Sequence, residues 1–186
     1  MRIIGGASKG RVLIGPKHEG LRPTSDRVRQ VLFDLLGQTF AGGDVLDLYC
    51  GTGALALEAL SRGCTNALCI DSDARAILLT NANAAPLGYS SRLATRSVNL
   101  PAGYGLLPTT PRRLIFADPP YEGAAPALAS LLRWVSASGI LAPDGVLVIE
   151  SSRHSDFDAA GEPPLLRTTR RQIGDTVLHL YQRGIR

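Results

Sequence analysis

With 186 residues, 45% of them hydrophobic and 19% charged, the chain has the length and composition of one globular domain with room for a substantial core. It holds no run approaching the roughly 18 apolar residues of a membrane span, and its first stretch, MRIIGGASKGR, lacks the apolar centre and cleavage site of a signal peptide, so a cytoplasmic location without membrane partners is expected. Net charge is +4 but uneven: residues 1–30 carry seven Arg and Lys against two acids, residues 31–150 seven against ten, and residues 151–186 six against four. An acidic middle between basic ends suits a pocket for a small cationic ligand and a periphery that meets a polyanion.

Residues 2–15, RIIGGASKGRVLIG, read as two short strands around Gly-Gly and Lys-Gly turns, a basic β-hairpin extension over residues 1–20 ahead of a main domain over 21–186. In PTSDRVRQVLFDLLG, Thr24 or Ser25 stands where a helix cap is needed. Val28, Val31, Leu32, Leu35 and Leu36 recur at helical spacing, and Gly37 is the stop. Arg27 and Arg29 fall off that apolar stripe. From there strand-like runs alternate with helical patterns: a strand at 44–49, a helix at 54–62, a strand at 66–71, a helix at about 73–85 closed by Pro86, strands at 92–97 and 112–117, a helix at about 125–137 and a strand at 145–150. Alternation of this kind predicts a parallel sheet covered by helices. The tail, LLRTTRRQIGDTVLHLYQR, changes to two β-like runs around Gly174-Asp175, an antiparallel hairpin. The Gly- and Pro-containing loop 98–111 is expected to be the least ordered segment.

Chemistry concentrates at two strand ends. In DLYCGTGALALEAL, residues 47–60, a strand meets a glycine turn and a helix start. Gly51 and Gly53 let the backbone approach a ligand closely, and the first N–H groups of the helix remain available to donate. Asp71 ends the next strand, about 20 residues on, where a carboxylate accepts bonds from a ribose diol. Gly51, Gly53 and Ala56 equally satisfy the G-x-G-x-x-A pattern of a dinucleotide site, so a nicotinamide-binding domain competes. Against it, Asp47 places a carboxylate just ahead of the turn, poor beside a pyrophosphate but good beside an ammonium group, and a further acid tops a later strand. A ligand with an amino-acid tail and a nucleoside head, S-adenosylmethionine, fits both.

The second strand end is RRLIFADPPYEG, residues 112–123. Pro119 and Pro120 forbid continuation of the strand, which leaves Asp118 at its carboxyl end, the edge where open α/β sheets bind ligands. An exocyclic amine on a base has its lone pair delocalised into the ring. The Asp118 carboxylate together with a backbone carbonyl such as that of Pro119 holds both N–H hydrogens and favours a pyramidal nitrogen, while Tyr121 offers a flat face to an unstacked base. Elsewhere the signals are plainer. Glu58 precedes Arg62 by one helical turn and reads as an i,i+4 pair. His18, His154 and His179 share no spacing, the cysteines Cys50, Cys64 and Cys69 read as buried thiols, and no metal site is expected.

Together, RIIGG, KGR, LRPTSDRVR, VLDLYCGTGALALEALSRG, Asp71, FADPPY and the tail hairpin resemble the RsmD family, bacterial methyltransferases that modify guanine N2 of small-subunit ribosomal RNA. The resemblance runs over nearly the whole chain, and RPTSDRVR is its narrowest signature. It implies an α/β, Rossmann-like, seven-stranded S-adenosylmethionine-dependent methyltransferase sheet with the small N-terminal hairpin, acting as a monomer on 16S ribosomal RNA or the assembling small subunit. Residues Thr24, Asp47, Tyr49, Gly51, Thr52, Gly53, Asp71 and Ser72 then hold the cofactor, with Asn99 replacing the acid that often meets the adenine amine. Arg22, Thr24 and Asp26 lie beside the methionine end or the incoming base, Asp118, Pro119, Pro120 and Tyr121 form the catalytic loop, and Arg2, Lys9, Arg11, Lys17, Arg22 and Arg27 meet RNA. Cys50 and Ala56 depart from the usual residues. The alternatives are an adenine-N6 methyltransferase of RNA or DNA and a non-catalytic RNA-binding module; a protein-glutamine methyltransferase would favour Asn at position 118.

Overall fold

The computed structural model describes residues 1–16, 24–120 and 124–184. Contacts divide the chain into two units, Met1–Val98 and Asn99–Arg186.

In the first unit, Ser25 rather than Thr24 caps helix α1 (Asp26–Leu36): its side chain accepts the Val28 N–H at 3.2 Å, and Gly37 ends the helix by donating to the Phe33 carbonyl. The buried face is Val28, Arg29, Leu32 and Phe33, whereas Leu35 is exposed. The expected stripe is therefore rotated, and Arg29, expected off it, is 0% exposed; Arg27 does face solvent. A buried guanidinium needs partners, and Arg29 finds them chiefly through Nη2, which donates to the Arg2 carbonyl at 2.7 Å and to Asp26 Oδ1 at 2.6 Å, while Nη1 lies 4.0 Å from Glu58 Oε2 without a hydrogen bond. Glu58 also accepts from Arg62 Nε at 2.8 Å, so the expected i,i+4 pair exists, but in the interior. Arg62 in turn lies over the Phe33 ring, 4.7 Å from its centroid, and donates to Gln38.

The N-terminal segment closes on this network. Ile4 N–H donates to Glu58 Oε2 at 2.8 Å, Ala7 N–H to the Ser61 carbonyl at 2.8 Å and Ser8 N–H to Ser61 Oγ at 2.9 Å. Residues 1–3 and 10–13 run antiparallel about an Arg2–Val12 bridge, with Ile3 N–H donating to the Arg11 carbonyl at 2.9 Å and Leu13 N–H to the Met1 carbonyl at 3.1 Å, a short form of the expected hairpin. Gly6 makes the approach possible. Its φ is +75°, and a Cβ there would sit 2.0 Å from the Ser61 carbonyl oxygen.

Strands β1 (Val45–Leu48), β2 (Ala67–Asp71) and β3 (Leu93–Ser97) pair in parallel in the order β3-β2-β1. Every residue of β1 and β2 is buried, as parallel strands covered on both faces require. Helix α2 (Ala54–Ser61) is buried all round and correspondingly rich in Ala and Leu. Helix α3 (Ala74–Ala84) starts at Asp73, whose carboxylate accepts the Arg75 N–H at 2.8 Å, and runs into a 3-10 turn containing Pro86. Cys50, Cys64 and Cys69 are buried free thiols, as expected.

In the second unit, β4 (Arg112–Ala117) pairs in parallel with β5 (Leu141–Ser152), and helix α4 (Ala124–Ser138) lies between them in sequence. Antiparallel pairing then adds β8 (Thr176–Arg183) to β5, β7 (Leu165–Ile173) to β8 and β6 (Gly161–Glu162) to β7. The tail hairpin is thus present. The two-residue β6 is the strand beyond the seven that were expected. Loop 98–111 is anchored where little order was expected: Tyr104 is buried and stacks on Trp134 at 4.7 Å. His179 is buried in β8 with Nε2 3.0 Å from Ser151 Oγ, and burial, aided by Arg167 and Arg170, pushes its pKa down to about 4, so the ring is neutral near pH 7. No helix among the described residues is long and apolar enough to cross a membrane.

Candidate cofactor turn and strand-end acid

Between β1 and α2 the chain turns sharply through Tyr49, Cys50, Gly51, Thr52 and Gly53, and Tyr49 adopts a φ of 62°, uncommon for a residue with a side chain. Asp47, 2% exposed, reaches from β1 to the first turn of α2, where its Oδ2 accepts the Ala56 N–H at 3.1 Å. A carboxylate there also complements the positive end of the helix. Asp71, at the end of β2, accepts the Gly51 N–H on Oδ2 and the Asp73 N–H on Oδ1, both at 2.9 Å. An ionised carboxylate has about four lone-pair sites, so each oxygen keeps capacity for a further donor.

Two residues of α3 that the sequence reading passed over complete the turn. Thr80 Oγ1 donates to the Gly51 carbonyl at 3.1 Å, and a Cβ on Gly53 would lie 2.7 Å from Thr80 Cγ2. Asn83 Nδ2 donates to the Thr52 carbonyl at 3.0 Å. Their signal in the sequence was faint: Thr and Asn are indifferent helix formers, and here both stand inside a helix. Cys50 Sγ lies 3.7 Å from Thr80 Oγ1, and the Cys69 thiol is held well above its ordinary pKa by its hydrogen bond with Cys50 and by burial, which keeps it neutral beneath the turn.

Among the other residues singled out, Thr24 is half-buried beside the α1 cap and Ser72 is exposed after β2. Arg2, Lys9, Arg11 and Arg27 are exposed. Arg2 Nε lies 3.9 Å from Asp26 Oδ2, and Arg11 Nη2 donates to the Pro86 carbonyl at 2.7 Å. In the second unit, Asn99 is exposed, and its carbonyl accepts the Gly103 N–H at 2.8 Å. The run read as 112–117 is β4, and its ladder with β5 ends at Ala117 opposite Ile149. Asp118 follows half-buried, Pro119 buried and Pro120 exposed. Glu150, also buried near this edge, accepts from Thr176 Oγ1 at 3.3 Å. Lys17, Arg22 and Tyr121 lie outside the described residues. Among the described residues no group of three or more His, Cys, Asp or Glu is arranged to hold a metal.

Parallel strands, a glycine turn into a buried helix and carboxylates near strand ends define a Rossmann-like α/β fold, and a solved structure shares that fold: ribosomal protein L11 methylase from Lactobacillus delbrueckii superposes with a TM-score of 0.67 over 90% of this chain and 83% of that one, at 19% identity. The Escherichia coli chain yhhF superposes with a TM-score of 0.82 at 32% identity, covering 100% of this chain and 99% of its own. In sequence, ribosomal RNA small subunit methyltransferase D of Escherichia coli K12 is 33% identical over 187 residues, 98% of this chain and 90% of that protein. The family model described as "Conserved hypothetical protein 95" matches residues 1–182, and the chain belongs to that family, the RsmD family of methyltransferases.

Proposed function

We propose that this enzyme transfers a methyl group from S-adenosylmethionine to the exocyclic N2 amine of a guanine in 16S ribosomal RNA of the small subunit. The observation that carries the reading is the acid-proline-proline sequence at the end of β4, in a chain whose other unit presents a glycine turn braced by two strand-end carboxylates. Full-length similarity to an enzyme named for small-subunit ribosomal RNA supports the substrate class.

The turn fits such a cofactor. Asp71 retains acceptor capacity for ribose hydroxyls, Asp47 supplies negative charge for an ammonium group, and Gly53 leaves the space a side chain would fill against Thr80. Tyr49, Gly51, Thr52, Ser72, Thr24 and Asn99 complete the proposed set. When bound, the cofactor supplies an electrophilic methyl on a sulfonium. The task left to the protein is to make a poor nucleophile adequate. Asp118 and the Pro119 carbonyl accept the two amine hydrogens, which withdraws the nitrogen lone pair from the ring and aims it, and Tyr121 stacks on the base. The prolines hold this loop out of the sheet and remove competing N–H donors.

Labelled-methyl transfer to undermethylated small subunits, free RNA and DNA side by side, followed by nucleoside analysis, tests the reading. Label is expected on N2 of guanine in ribosomal RNA; label on DNA alone or on adenine N6 overturns it. Replacing Asp118 by Ala is expected to lower turnover by about 100-fold or more while cofactor affinity stays within several-fold. Near-normal turnover of that variant contradicts the mechanism.

A further inference from the structure

We infer that Asn83 is a positioning residue that couples the basic N-terminal segment to the cofactor turn, so that engaging RNA on the one tightens binding in the other; this rests on the function proposed above. Asn83 is 1% exposed, and its amide uses both N–H donors and its oxygen: Oδ1 accepts the Ile14 N–H at 2.7 Å, while Nδ2 donates to the Ile14 carbonyl at 3.1 Å and to the Thr52 carbonyl at 3.0 Å. Only this orientation of the amide matches one backbone donor and two backbone acceptors. A single planar, buried group therefore fixes both a residue of the proposed RNA-binding segment and a residue of the turn.

The neighbouring bonds make α3 a shared support. On the turn side, Thr80, one helical turn before Asn83 and on the same face, donates to Gly51. On the segment side, Arg11 donates to the carbonyl of Pro86, in the 3-10 turn that follows α3. Displacing Ile14 leaves a buried acceptor and a buried donor of Asn83 unmet, and the amide cannot rotate to recover them without releasing Thr52. Securing the segment with RNA phosphates on Lys9 and Arg11 removes that freedom, and the turn is then ordered at less entropic cost when the cofactor arrives. Linkage requires the effect to be reciprocal.

The test is equilibrium dialysis of labelled S-adenosylhomocysteine against wild type, Asn83→Asp and Ile14→Pro, each free and saturated with small ribosomal subunits from cells lacking the enzyme. Asn83→Asp keeps the shape but sets an oxygen against two carbonyls. Ile14→Pro removes the N–H while leaving Asn83 intact. Wild type is expected to bind about fivefold or more tightly with subunits present, the lower end of ordinary allosteric coupling, and the ratio is expected to fall to about one in both variants. A residue that only stabilises the fold lowers affinity in both states and leaves the ratio unchanged, and that result overturns the inference, as does a wild-type ratio of one. Should Asn83→Asp fail to fold, Ile14→Pro decides alone. Failure of the wild type to bind S-adenosylhomocysteine or to methylate subunits would instead defeat the proposed function.

Discussion

Gly53 is constrained twice over, by its own backbone and by its neighbour. Its φ of +74° is in the left-handed region, and a Cβ there would come within 2.7 Å of Thr80 Cγ2. Left-handed geometry costs a residue with a Cβ about 1 kcal/mol, and forcing a methyl into packed surroundings costs about 1–3 kcal/mol more. Gly53→Ala is therefore expected to destabilise the protein by about 2–4 kcal/mol, read as a lower urea midpoint at unchanged slope. It should weaken cofactor binding too. Adding Thr80→Ser removes the colliding methyl, so it should restore the packing share of the loss and leave the backbone share. If the double variant were no better than the single one, the contact with Thr80 would not be the source of strain. Asp71 shows the complementary economy: one carboxylate pins the turn through Gly51 and Asp73 and still offers lone pairs to a ligand, so its removal is expected to harm both functions.

At the scale of elements, the junction of the N-terminal segment, α1 and α2 rests on three buried charges, Arg29, Glu58 and Arg62. Glu58 carries the only negative charge of the three, and it also accepts the Ile4 N–H. Glu58→Gln leaves the buried Arg62 guanidinium without a counter-charge and Arg29 with Asp26 alone, and a loss of about 3–5 kcal/mol is expected by denaturant unfolding. Asp26→Asn, at a half-exposed partner of Arg29, should cost about 1 kcal/mol or less. Equal losses in the two variants would show that burial is not what makes Glu58 matter. This junction was also the least legible part of the sequence. Elements set by local pattern were readable: β4 occupies 112–117 as its apolar run and the following prolines dictate, and Gly37 stops α1. Arg29 was misread because periodicity assigns a charged side chain to solvent, and what holds it inward is the Arg2 carbonyl, Asp26 and the nearby Glu58 carboxylate of another helix, which are brought together only by the fold. The same holds for the docking of the N-terminal segment, whose Ala7 and Ser8 N–H groups donate to Ser61, and for Thr80 and Asn83, which look like ordinary polar helix positions until the turn they grip is known. The strand-end acids Asp47, Asp71 and Asp118 were legible because a strand's end and the break after it are both written locally.

Across the whole molecule, the charge distribution matches the two kinds of binding proposed above. The middle of the chain, residues 31–150, holds ten acids against seven Arg and Lys, and its buried Asp47 and Asp71 serve the turn; residues 1–30 hold seven Arg and Lys against two acids. Within that basic segment the side chains have divided roles. Arg29 is interior and structural, while Lys9, Arg11 and Arg27 face solvent, where counterions surround them until a phosphate displaces those ions. Affinity for ribosomal RNA should consequently fall steeply with salt, and Lys9→Ala should weaken binding to all RNA sequences alike while reducing the slope of log affinity against log salt by about one unit. Arg27→Ala should act in the same way, whereas a truncation of Arg29 should change stability and leave the slope alone. Cofactor affinity of the Lys9 and Arg27 variants measured without RNA should equal that of wild type, because neither side chain touches the turn. An unchanged salt slope in both variants would place the phosphate contacts elsewhere on the protein, and the basic excess at this end would then be a solubilising surface rather than a binding one.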